Sequence, residues 1–167
     1  MNTIDFPEAY HDYIEKLPKG KLIPLMELSL KELIGSLAMV SEDQSNLAYE
    51  PGKWSIKDVL QHLIDTERIF CFRALSFARG DQNEIKGYDH DAYANEAIAN
   101  ERSLKSLLEE MKQLRLTSIQ LFNSFSPEIM QRNGTANGNQ LTVNQIGYII
   151  LGHLYHHLYI LDTKYLK

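Results

Sequence analysis

The chain has little of what would staple it, anchor it or send it to nucleic acid. It holds one cysteine, Cys71, among 167 residues, which excludes an intrachain disulfide framework and fits a reducing compartment. Cys71 lies in the apolar stretch Ile69-Phe70-Cys71-Phe72, the setting of an inert buried thiol more than of a nucleophile. Lysine and arginine total 17 against 22 acids, and no Lys/Arg cluster or basic arm occurs. A phosphate backbone would find little to hold, so no nucleic-acid partner is expected. The longest apolar run, Ile146 to Leu161, carries three histidines and falls short of the ~20 residues a membrane span needs. The segment Met1-Asn2-Thr3-Ile4-Asp5 has neither a basic n-region nor an apolar h-region. No signal peptide and no membrane are expected, and a cytoplasmic location follows as the expectation. No stretch alternates apolar and polar residues over a useful length, so strands are not expected either.

What remains is helical periodicity in a chain of ordinary hydrophobic content, read as one domain over 1–167. Pro24 suits the first turn of a helix reaching about Ser41, with Leu25, Leu28, Leu33, Leu37 and Val40 as its apolar positions. Pro51-Gly52 breaks the chain. Ser55 with Asp58 reads as an N-cap with an acid three residues on, opening a second helix to about Arg79. A polar loop, Asp81 to His90, precedes a third helical region from about Asp91 to Ser124. Ser126-Pro127-Glu128 starts a short helical turn, and Asn133 to Asn139 reads as a tight turn rich in residues that accept positive φ. Thr142 caps a fourth helix to about Lys164. The first twenty residues form a short extra helix ended by Pro18 and Gly20. Four helices of this length predict an all-α four-helix bundle, with the loop after the second helix able to serve as a long crossover.

The chemistry concentrates in Gly152-His153-Leu154-Tyr155-His156-His157. Residues at i and i+4 share a helix face with Cβ atoms about 5–6 Å apart. His153 and His157 are therefore spaced to grip one metal ion at nitrogen–metal distances of roughly 2.0–2.1 Å. Imidazoles on an apolar stripe need partners, since an unpaired buried polar group costs roughly 1–3 kcal/mol. A metal is one such partner and a hydrogen-bonded core role is the other. His62, two turns into the second helix beside Val59 and Leu63, is the third candidate ligand if the second and fourth helices pack together. Three imidazoles leave a coordination position open, as catalytic sites do and closed structural sites do not. The Glu of His-Glu-x-x-His proteases is missing, which disfavours peptidase chemistry.

Around this trio stand candidates with bland alternatives. Asp65, one turn after His62, is placed to orient an imidazole or to sit in solvent. Arg73 further along the same face is placed to meet an anionic substrate or to form a surface salt bridge. His156 flanks the pair as a neighbouring polar group. Glu67 reads as exposed or ion-paired, and Trp54 as a packing anchor against the fourth helix. The polar run Tyr88 to Asp91 either closes over a site or only caps and turns. Tyr148, Tyr155 and Tyr159 lie on one side of the fourth helix, for an intrachain contact or a homodimer interface.

The order of these pieces resembles a known family. Trp54-Ser55 followed by His62, Asp65 and Glu67 is one part, and Gly87-Tyr88-Asp89 with Asp91 and Tyr93 is the next. Asn100-Glu101-Arg102-Ser103-Leu104, Gly134-Thr135-Ala136-Asn137-Gly138 and the closing Gly152-His153 with His156-His157 complete it. Together they resemble the DinB-like (YfiT-like) metalloenzyme superfamily over about residues 22–166. The resemblance implies a four-helix bundle with a long crossover and a divalent metal, zinc or nickel, held by His62, His153 and His157. It further implies a small-molecule substrate and an enzyme, with a thiol-dependent transferase using a low-molecular-weight thiol such as bacillithiol or mycothiol as the first expectation. A metal-dependent small-molecule hydrolase and a non-catalytic metal-binding stress protein are the alternatives.

Overall fold

The computed structural model describes residues 5–166. A 3-10 turn, Glu8–Tyr10, runs into the single-turn helix α1 (His11–Ile14). Four long helices follow with short elements between them. The first three are α2 (Leu22–Leu37), α4 (Ile56–Ala78) and α6 (Leu104–Asn123), with the short α3 (Glu42–Ser45) and α5 (His90–Ala97) between them. After α7 (Pro127–Met130) come two strands, β1 (Asn133–Ala136) and β2 (Asn139–Thr142), then α8 (Val143–Ile160) and a π-turn, Leu161–Tyr165. No helix of the described residues is long and apolar enough to cross a membrane.

The caps explain where the helices start. The Ser55 side chain accepts from the Asp58 backbone while the Asp58 carboxylate accepts from the Ser55 backbone at 2.9 Å, a full capping box. Thr142 and Gln145 make the same reciprocal pair at the start of α8.

The long helices alternate in partner, not in sequence. α4 packs against α6 and α8, and α2 packs against the same two. Consecutive long helices α2 and α4 therefore lie across a diagonal, as do α6 and α8. Side-chain bonds fix the directions. Gln61 meets Arg102, Arg68 meets Glu110 and Cys71 meets Ser118, so α4 and α6 run parallel. One apolar cluster joins Leu33, Leu37 and Leu158 near the ends of α2 and α8 with Ile56, Leu60, Leu104 and Leu107 near the starts of α4 and α6, so the α4–α8 and α2–α6 pairs are antiparallel. Parallel neighbours need a return connection of bundle length, about 34 Å for a helix the size of α4. Residues 79–103 supply it and carry α5.

That crossover corrects the third helix. The expected continuous helix from Asp91 is two helices, because Ile98 sits in the left-handed region at φ 48°, a conformation that stops an α-helix. A fresh cap follows, with Ser103 accepting from the Ser106 backbone. The expected tight turn at Asn133–Asn139 is also corrected. It is an antiparallel hairpin pairing Asn133 with Thr142 and Ala136 with Asn139. Asn137 and Gly138 form its two-residue turn at φ 50° and 72°, the Asn-Gly pair a type I′ turn requires.

The core divides along the bundle axis. One apolar cluster, with Met26, Phe70, Phe77 and Ile146, lies towards the hairpin. The other, with Leu33, Leu60, Leu107 and Leu158, lies towards the far end. Near their boundary sit buried polar side chains, among them Ser29, Thr66, Glu67, Arg115 and His153. The candidate site grows from this band.

Candidate metal centre

Antiparallel packing brings the second turn of α4 beside the last turns of α8. His62 and His153 meet there, Nε2 to Nε2 at 2.9 Å. The ring of His157 stands 5.0 Å from His62 and 4.6 Å from His153, centroid to centroid. One donor atom from each of the three lies within 4.8 Å of the others, and this is the set of His, Cys, Asp or Glu able to share one ion among the described residues.

Burial governs their protonation. It takes His62 down to about 4, helped by the neighbouring His90. His157 falls to about 3 through burial and then the imidazole of His62. His153, buried most deeply, is held well below its ordinary value by desolvation and then by His157. Neutral imidazoles keep the lone pair that a metal needs. The donor set suits an ion. Nitrogens 2.9 Å apart can share one cation at roughly 2.0–2.1 Å from each, and the His157 donor, within 4.8 Å of both, is close enough to join them on rotation of its ring.

The walls come from distant parts of the chain. Trp54 lies against His62 at 4.7 Å and stacks over His157 at 6.4 Å. Its carbonyl accepts from the Tyr165 hydroxyl at 2.5 Å. Tyr13 of α1 presents its ring to the edges of His153 and His156 at 5.4 and 5.2 Å. Gly152 permits this, because a Cβ there would stand 2.7 Å from the Tyr13 carbonyl oxygen. The trio opens on a cavity of about 400 Å³, closed by Tyr88 of the crossover and by Asn137 and Asn139 of the hairpin.

The remaining candidates separate. Asp65 does not orient an imidazole: its carboxylate accepts from Gln61 at 2.9 Å and faces Arg68 at 3.7 Å, towards α6. Thr66 stands next to His62 instead. Its hydroxyl is 3.4 Å from His62 Nδ1 and 2.6 Å from the Tyr88 hydroxyl. Arg73 makes no salt bridge among the described residues. It is 3% exposed, lines the cavity, and lies over the Phe70 ring at 5.0 Å. His156 also lines the cavity, and its Nδ1, like that of His157, is buried without a partner. Glu67 faces away, locked to Arg115 at 2.9 and 2.8 Å. Trp54, expected as a packing anchor, is also a wall of the site. Of the tyrosines on α8, Tyr148 donates to the Gly20 carbonyl at 3.2 Å, whereas Tyr159 is exposed.

With this geometry in place, the comparisons decide the family. A family model described as the DinB superfamily matches residues 25–161. The chain belongs to the DinB superfamily. Among solved structures it is similar to YfiT from Bacillus subtilis, described as a probable metal-dependent hydrolase with an unusual four-helix bundle topology. The TM-score is 0.73 at 16% sequence identity, covering 84% of this chain and 86% of that one. No curated protein matches.

For this DinB-superfamily chain, the sequence left several cavity residues unread. Tyr13 carries no local signal, since only the bare face of Gly152 lets it approach. Asn137 and Asn139 were visible as turn formers and not as walls. Thr66 lies one turn beyond His62 on the same face, a spacing that could have singled it out.

Proposed function

We propose that this protein is a metal-dependent enzyme acting on a small molecule, with His62, His153 and His157 holding one divalent ion, zinc or nickel. The observation that carries the reading is the convergence of three buried imidazoles on one side of a cavity of about 400 Å³ that no carboxylate lines. A binding pocket of this kind commonly measures about 300–1,000 Å³. A divalent ion held there would lower the pKa of a water or thiol, providing a nucleophile at neutral pH without a carboxylate base.

The protein's own residues have definite tasks in this scheme. Burial keeps the imidazoles neutral. Trp54 and Tyr13 hold the rings by their faces and edges and exclude water from that side. The Thr66 hydroxyl links His62 Nδ1 to Tyr88, which fixes the orientation of the His62 ring and runs from the site into the crossover.

Transfer to a low-molecular-weight thiol is the first form of the reaction. The second form is hydrolysis, favoured by the structural likeness to YfiT. Metal analysis of the purified protein after zinc or nickel addition tests the common core. One equivalent bound, lost in His62→Ala, is the expected outcome; negligible metal in the unsubstituted protein overturns it. Incubating the loaded protein with activated esters, with and without added thiol, then separates the two forms.

A further inference from the structure

The cavity has a charge pattern that the metal centre does not explain. Not one of its lining residues is Asp or Glu, although the chain carries more acids than bases. The one permanently charged side chain lining it is Arg73. That guanidinium is buried, and Nε has no acceptor. Nη2 reaches the Lys86 carbonyl at 3.4 Å, a long contact for a donor of this kind. Phe70 covers one face, and Tyr10 and Tyr88, whose hydroxyls are able to donate to an acceptor, line the same cavity.

A buried charge costs several kcal/mol unless it is paired, and the other buried Lys and Arg side chains among the described residues are paired. Lys57 has Glu42 and Arg115 has Glu67. Arg73 is the buried cation among the described residues without a carboxylate, and it is the one that faces the cavity.

We propose that the cavity takes a small molecule carrying an acidic group, a carboxylate or phosphate, and that Arg73 anchors this group. The inference deepens the metal-centre reading by naming the class of substrate and rests on it for where the reactive end lies. Arg73 follows His62 by about three helical turns, a rise of about 16 Å. Its side chain reaches back towards the helix N-terminus, as helical side chains do. The ligand is thus an elongated acid, its anionic end on Arg73 and its reactive bond about 10 Å away beside the histidines. A guanidinium binds either oxyanion through two parallel N–H bonds. The amides of Asn137 and Asn139 and the hydroxyl of Tyr10 are further polar groups in the same walls.

The test titrates the full-length protein with butanoate, with inorganic phosphate and, as the cationic control, with butylamine. Two signals report: the fluorescence of Trp54, the one tryptophan of the chain, and the Arg73 Nε–H resonance, assigned by its loss in Arg73→Lys. At least one anion is expected to bind saturably in the millimolar range and to move both signals, while butylamine moves neither. The anion that saturates at the lower concentration identifies the acidic group. Arg73→Gln should weaken binding about tenfold or more, with Arg73→Lys between it and the original.

Absence of saturable anion binding, an unmoved Nε–H at saturation, or unchanged affinity in Arg73→Gln overturns the proposal. The resonance decides in the unsubstituted protein even if Arg73→Gln does not fold. Failure of the metal reading looks different. His62→Ala should lose the ion and still bind the anion, whereas Arg73→Gln should keep the ion and bind the anion about tenfold or more weakly.

Discussion

Two buried charged groups on α4, six residues apart, are treated in opposite ways. Glu67 faces the bundle interior and receives two bonds from Nε and Nη2 of Arg115, whose Nη1 donates to the Met26 carbonyl and the Ser29 hydroxyl at 3.1 and 2.6 Å. That pair ties α2, α4 and α6 together with its strong donors and acceptors satisfied. Arg73 faces the cavity and lacks an acceptor at Nε, and His156 and His157 on α8 each carry an unpartnered Nδ1. A fully bonded buried pair stabilises one packing and leaves nothing to offer a ligand. An incompletely bonded group raises the energy of the empty protein and is satisfied when something binds.

Breaking the paired side should give the largest effect. Glu67→Ala leaves the Arg115 charge buried alone and should cost about 3–5 kcal/mol in a urea melt. Replacing both partners with Leu and Met should recover most of that, and equal loss in the single and double variants would break the comparison.

Filling the unsatisfied side should act in the other direction. Zinc at a hundredfold excess over its dissociation constant should add about 2.7 kcal/mol, read as a rise in Tm that a chelator reverses. No shift on zinc addition would remove the histidines from the unsatisfied class.

Cys71 sharpens the contrast from the α6 side of α4. Its thiol donates to the Ser118 hydroxyl at 3.2 Å, and burial pushes its pKa from 9.0 to about 11. The unfolded thiol ionises first, so stability is unaffected below pH 9 and falls as pH rises towards 11. The loss should be about 2 kcal/mol and absent in Cys71→Ala, measured by denaturant melts across that range.

The smallest change is expected at Arg73. Arg73→Met loses a charge that has no carboxylate partner and keeps an apolar contact with Phe70. Its stability should be no lower than the original to within about 1 kcal/mol, because the lost charge was buried and unpaired. A loss as large as that of Glu67→Ala would place Arg73 with the structural pair.

The sequence revealed what is local or strongly periodic. The caps at Ser55 and Thr142 and the apolar stripes located α4 and α8, and the i, i+4 histidines stood out against an apolar run. The hairpin was hidden because strands of four residues are too short for alternation to show. The break at Ile98 was hidden because a left-handed isoleucine has no composition signal. Asp65 and Thr66 could not be ranked, since which of them reaches His62 depends on how α6 and the crossover pack against α4. The missing carboxylate beside Arg73 is a property of several segments together, and no single stretch of chain displays it.

The placement of the histidines also ties the site to the order of events in folding. His62 and His153 lie 91 positions apart, and closing a loop of that size costs entropy before any contact repays it. Two of the three imidazoles ride on α8, the last long helix in chain order, and the third waits on α4. A nascent chain that has finished α6 but not docked α8 presents only one of them. On the proposed metal reading, uptake of an ion would report completion of the bundle, becoming possible only when the final helix seats.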